Sequence, residues 1–159
     1  MAKDKLPSAL ARFDLLAAPG HLLRRNHQRS FDIFSRHVGN DLTRQQFALM
    51  LALGQRPGAS QRDLVEATGI DKSTLKEMLG RLVKRGWVER ERDPRDSRAW
   101  TMDLTAEGTA LLLDNLARVQ DAQREILAPL SPDDQATLLR LLRILLGRDG
   151  EGAAASEEG

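Results

Sequence analysis

The stretch from Ser60 to Leu104, SQRDLVEATGIDKSTLKEMLGRLVKRGWVERERDPRDSRAWTMDL, constrains this chain more than any other. Ser60 with Asp63 has the spacing of a capping box, in which a hydroxyl and a carboxylate satisfy the free amides of a helix's opening turn. Leu64, Val65 and Ala67 supply an apolar face. Gly69 interrupts the period where a C-terminal cap belongs, because positive φ costs glycine nothing. Asp71 is placed to N-cap a second helix, in which Leu75, Met78, Leu79, Leu82 and Val83 recur at three-and-four spacing. Lys72, Ser73, Thr74, Lys76, Glu77, Arg81 and Lys84 are left for its outer side. Gly80 costs such a helix about 1 kcal/mol relative to alanine, and close packing against a neighbouring helix is the expected compensation.

Gly86 ends that helix. Trp87 to Glu91 then alternates as a half-buried strand, and a second strand runs from Ala99 to Leu104 with Trp100, Met102 and Leu104 on one face and Thr101 and Asp103 on the other. Between them Asp93-Pro94-Arg95-Asp96-Ser97-Arg98 is a turn-rich tip. Two helices joined by a short turn and followed by an arginine-tipped hairpin outline a winged helix-turn-helix. In that geometry the second helix lies in the major groove, and the hairpin can reach phosphates or a minor groove. Ser73, Thr74 and Lys76 are the expected base-edge residues. From Asp71 to Arg98, nine Lys or Arg stand against six Asp or Glu, a net of +3 in a chain of +1 overall, so the positive charge is concentrated here. The competing reading is a solvated helix face, with the tip arginines paired to Asp93 and Asp96.

The flanking segments read as helices. Residues 1–18 form an N-terminal extension, helical from Ser8, and Pro19-Gly20 starts a helix over His21 to Val38. Thr43 with Gln46 repeats the capping-box spacing ahead of a helix that ends near Gly54. Thr105 opens a long helix to about Leu127, with Leu111, Leu112, Leu116, Val119 and Ile126 on its apolar side. Ser131-Pro132-Asp133-Asp134 starts a last helix. That helix carries more leucine and isoleucine than the terminal helix of a small monomer can hide, so a partner subunit is expected to cover it. The division is therefore 19–42 with 105–147 as a helical dimerisation region, 43–104 as the DNA-binding region and 148–159 as a disordered acidic tail.

At 159 residues, 41% apolar and 30% charged, the chain suits one globular core with extensions. It has no cysteine, which removes disulfides, thiolate metal sites and a nucleophilic thiol. No apolar run approaches the roughly 20 residues of a membrane span, and no export signal opens the chain, so a cytoplasmic location is expected. His21, His27 and His37 lie six and ten residues apart, without the three-or-four spacing that puts two ligands on one helix face; no metal or other cofactor is expected. No phosphate loop is present, and Ser73 with distant histidines is not a triad, so neither catalytic residues nor enzymatic activity are expected.

GIDKSTLKEMLGRLVKRGWVERERDPRDSRAWTMDLTAEG resembles the signature of the MarR family of bacterial transcription regulators: a helix-turn-helix, a D-x-R-D-x-R wing and an L-T-x-x-G step into a long helix. The likeness spans roughly residues 19–146. It implies a mainly α fold with a small β-hairpin wing, and a homodimer on a pseudo-palindromic double-stranded DNA operator. It also implies release by a small effector, often an aromatic acid, bound between the DNA-binding and dimerisation regions. Residue by residue, it implies DNA contacts from Gln61, Arg62, Lys72, Ser73, Thr74, Lys76 and Arg81, wing contacts from Arg95 and Arg98, and Asp96 as the partner of a wing arginine. His21, Arg24, His27 and Gln28 are the implied polar lining of the effector crevice. Without cysteine, the thiol-based peroxide sensors of the family are not models for this chain. A winged-helix protein-interaction module that does not bind DNA is the alternative.

Overall fold

The computed structural model describes residues 8–92 and 100–148. The expected wing tip with Arg95, Asp96 and Arg98, the start of the N-terminal extension and the expected acidic tail from 149 onward lie outside the described residues. In order the elements are α1 (Ser8–Ala11), a 3₁₀ turn (Leu15–Ala17), α2 (Pro19–Val38), α3 (Arg44–Gln55), α4 (Gln61–Thr68), α5 (Lys72–Lys84), β1 (Val88–Arg92), β2 (Trp100–Leu104), α6 (Ala106–Leu127) and α7 (Pro132–Leu145). The fold is mainly helical with one two-stranded antiparallel sheet. The chain divides into two compact units after Ala122, inside α6.

Local chemistry sets the helix ends. Thr43 accepts from the Gln46 amide at 3.2 Å while Gln46 Oε1 accepts from the Thr43 amide at 3.0 Å, a complete capping box. Ser60 and Asp63 do the same ahead of α4, at 3.2 and 3.0 Å. Gly69 takes the left-handed conformation (φ 67°, ψ 10°) that turns the chain from α4 towards α5. Past the end of α5, the Gly86 amide donates to Val83 O and the Trp87 amide to Leu82 O, a Schellman closure made possible by φ 73° at Gly86.

The core gathers Phe34 and Val38 of α2, Leu49, Met50 and Leu53 of α3, Leu64 of α4, and Leu75, Met78, Leu79 and Leu82 of α5. Val88 and Met102 of the hairpin and Val119 of α6 also belong to it, as do Leu42, Ala52, Ala59 and Ile70. Three expectations change. Val83 is 38% exposed, because the buried stripe of α5 passes through 75, 78, 79 and 82. Gly80 is not closely packed: a Cβ there would meet nothing within 4 Å. On α6, Leu116 is exposed and the buried position one residue earlier is Asn115, whose Nδ2 donates to Leu111 O at 2.9 Å.

The L-T-x-x-G step acquires a physical reason. Thr105 Oγ1 donates to Gly86 O at 2.6 Å and accepts from the Gly108 amide at 3.0 Å, while the Thr105 amide donates to Trp87 O at 3.1 Å. This draws the start of α6 so close to Trp87 that a Cβ on Gly108 would overlap the Trp87 carbonyl. In the second unit Ser131 caps α7, and Gln135 Nε2 donates to Leu127 O and Leu130 O across the Pro129 turn. No residue of α7 is buried, and Leu141, Ile144 and Leu145 are exposed in the single chain.

Candidate nucleic-acid interface and effector cleft

The exposed side of α5 starts from its cap. Asp71 Oδ1 accepts from the Ser73 and Thr74 amides at 3.1 and 3.0 Å and from the Ser73 hydroxyl at 2.6 Å. These bonds, the one from the Ser73 hydroxyl first, hold the Asp71 carboxyl far below its ordinary value of 3.8. Ser73 therefore uses its hydroxyl proton in the cap and keeps only acceptor capacity towards a ligand. Lys72 and Lys76 are exposed, and Thr74 is half-buried. Arg81 pairs with Glu77 at 3.1 Å, both side chains largely in solvent, so the pair contributes little and exchanges easily. Gln61 and Arg62 sit in the first turn of α4, the first half-buried and the second exposed. Gly80 falls on the exposed ridge between Lys76 and Lys84.

The hairpin has two faces of opposite charge. The register Val88↔Leu104, Arg90↔Met102 and Arg92↔Trp100 puts those six residues on one side; Glu89 and Glu91 share the other with Asp103 and Thr101. Asp103 accepts from the Gly58 amide at 2.9 Å, tying the wing to the turn after α3. Arg90 and Arg92 lie over the Trp100 indole, their guanidinium carbons 3.9 and 4.8 Å from the ring centroid. None of these three is singled out as a contact by the sequence, since the pairing that joins them depends on the register.

A cleft of about 380 Å³ is lined by His27 and Phe31 of α2, Thr43, Arg44, Gln45 and Ala48 at the start of α3, and Thr68 and Ile70 of the α4–α5 turn. Arg44 donates to Ser30 Oγ at 2.8 Å, lies 3.4 Å from His27 Nε2 and stacks 5.3 Å from the Phe31 ring centroid. Of the four residues implied for an effector crevice only His27 lines this one. His21 and Arg24 belong to earlier turns of α2, and Gln28 is turned aside to donate to Asp32 at 3.0 Å. Sequence reasoning named neither Arg44 nor Phe31 for this cleft. Arg44 meets Ser30 and His27 across 14 and 17 residues, so no local spacing announces the cluster. Among the described residues no group of His, Asp and Glu is arranged to hold a metal ion, and no helix is long and apolar enough to cross a membrane.

Comparison with known proteins gives a consistent result. A sequence model of the MarR family matches residues 40–99. Transcriptional regulator HosA of Escherichia coli O111:H- is 39% identical over 110 residues, 69% of this chain and 82% of that protein. The HTH-type transcriptional repressor NicR of Pseudomonas putida is 30% identical over 154 residues, 94% of this chain and 98% of that protein. The solved structure of Bordetella bronchiseptica BpsR, whose DNA binding is regulated by 6-hydroxynicotinic acid, matches with a TM-score of 0.82 at 30% identity, covering 84% of this chain and 96% of that one.

Proposed function

The chain belongs to the MarR family of transcription regulators, and from that premise we propose that it is a cytoplasmic homodimeric repressor, not an enzyme, that leaves a pseudo-palindromic operator when a small aromatic acid enters the cleft beside Arg44. The observation that carries the reading is α5 itself: a capped helix with Lys72, Ser73 and Lys76 exposed along its first two turns, the part of a recognition helix that meets base edges. Exposed apolar residues at both ends of the chain, Leu10 and Phe13 near the start and Leu141 and Leu145 on α7, favour a partner subunit.

The effector cleft is argued from its chemistry. The Arg44 guanidinium suits a carboxylate, the Phe31 ring supplies an aromatic wall, and His27 offers a nitrogen to a ring hydroxyl or carboxylate. BpsR responds to an acid of this class, 6-hydroxynicotinic acid. Thr68 and Ile70 belong both to the cleft and to the turn that sets the start of α5, so an occupant pressing on them shifts the recognition helix. In a dimer the two such helices address half-sites about 34 Å apart, and a change in their separation weakens both contacts together.

Selection of bound duplexes from a random pool, repeated with 6-hydroxynicotinate, tests this. An enriched inverted repeat that is lost with the acid is expected. Enrichment of nothing, or of a single unpaired half-site, would remove the operator reading; an inverted repeat indifferent to aromatic acids would remove the effector.

A further inference from the structure

The strongest unassigned cluster is on the wing, below the tip. We propose that Trp100 is a positioning residue for DNA binding: its indole holds Arg90 and Arg92 in place as a paired clamp for the phosphate backbone beside the recognition helix. This rests on the DNA-binding reading given above.

Two guanidinium groups converge on one ring, at 3.9 and 4.8 Å from its centroid, although Trp100 is 38% exposed and contributes little to the core. A tryptophan left that open at the far end of a two-stranded hairpin costs exposed apolar area unless something uses its face, and tryptophan is the ring to which a cation binds best. The register explains the convergence. Arg92 is directly opposite Trp100, and Arg90 is its diagonal neighbour on the same face, within reach of long side chains. Further down that face, Val88 and Met102 enter the same core as Leu75 and Leu82 of α5, so the clamp faces the side on which the hairpin leans towards α5. The opposite face carries Glu89, Glu91 and Asp103 and would repel a phosphate backbone.

Unstacked arginines must lose rotamer freedom when they bind phosphate; arginines already stacked on an indole have lost much of it, and the ring covers only the flat face of each guanidinium. The expected ligand is therefore duplex backbone read without regard to sequence, in addition to any contact at the hairpin tip.

The test uses the full chain and a mixed-sequence duplex long enough for two half-sites, titrated over a range of NaCl concentrations. Trp100→Phe, which keeps a π face, binds within about two-fold of the unaltered protein. Trp100→Leu, which keeps apolar bulk alone, binds roughly five-fold more weakly. Arg90→Gln and Arg92→Gln each flatten the salt dependence, by up to about 0.9 in slope per lost phosphate contact. In the double glutamine background Trp100→Leu has no further effect.

The proposal is overturned if Trp100→Leu binds like the unaltered protein, or if its penalty persists in the double glutamine background. Should the leucine variant fold poorly, Trp87→Phe leaves Trp100 as the sole indole of a chain that has two. Its emission then shifts on duplex binding, and an unchanged spectrum with bound DNA overturns the proposal. If the unaltered protein binds no duplex even at low salt, the DNA-binding reading itself falls, which is a different result from a silent Trp100.

Discussion

Gly108 lies against the backbone carbonyl of Trp87 so closely that no side chain fits between them. The contact joins the end of the recognition-helix turn to the start of α6, where Thr105 bonds both Gly86 and Gly108. Gly108→Ala must push a Cβ into backbone, which cannot rotate away. It is expected to destabilise the protein by about 1–3 kcal/mol, in the range of overpacked cores. Urea unfolding at an unchanged m-value measures this; a change below a few tenths would mean that the start of α6 moves freely.

Gly80 predicts the opposite sign. Its surroundings are open and its backbone is helical, so Gly80→Ala adds no clash and lowers the entropy of the unfolded chain. A gain of about 0.4–1 kcal/mol is expected in thermal or urea unfolding. A loss would show that something covers this ridge in the folded protein in solution.

Asp63 and Asp71 give the N-termini of α4 and α5 a pH dependence. Both carboxyls are held below 3.8, Asp63 chiefly by its bond from the Ser60 hydroxyl and Asp71 chiefly by its bond from the Ser73 hydroxyl. A depressed folded-state value means that the unfolded chain binds protons first. The stabilisation is complete above the ordinary value and is lost as pH falls below it towards the folded values. Melting curves should therefore shift to lower temperature on acidification below about pH 4, and Asp71→Ala should reduce that dependence. An Asp71→Ala protein whose acid sensitivity matches the parent would rule out this cap as a source.

Arg44→Ala tests the effector cleft separately from DNA binding. Arg44 lines the cleft, and none of the exposed α5 residues named as DNA contacts does, so operator affinity is expected to stay within about two-fold while the 6-hydroxynicotinate needed for release rises about ten-fold or more. Equal loss of both functions would instead mark Arg44 as a folding residue.

Arg98→Ala, in the wing tip expected from the sequence, is expected to weaken operator binding and lower its salt slope by about 0.9 if the side chain meets one phosphate. A gel-shift titration with unaltered affinity and slope would take the tip out of the mechanism.

Much of the fold was readable from single residues and their near neighbours. The Thr43–Gln46 and Ser60–Asp63 boxes, the Asp71 and Ser131 caps and the Gly69 and Gly86 stops all act within about one helical turn, so the spacing along the chain is already the geometry. The amphipathic period was readable for the same reason, and it identified Leu75, Met78, Leu79 and Leu82 as the inner side of α5.

What needed three dimensions was every relation between elements. The amino-acid order determined where helices start, stop and carry charge, because capping and periodicity are local. Only the folded chain decided that Val83 stays in solvent while Asn115 is buried, that Arg44 closes on His27 and Ser30, and that Trp100 receives two arginines. Those outcomes depend on how helices rotate against one another and on strand register, and a one-residue change of register would send every wing side chain to the opposite face.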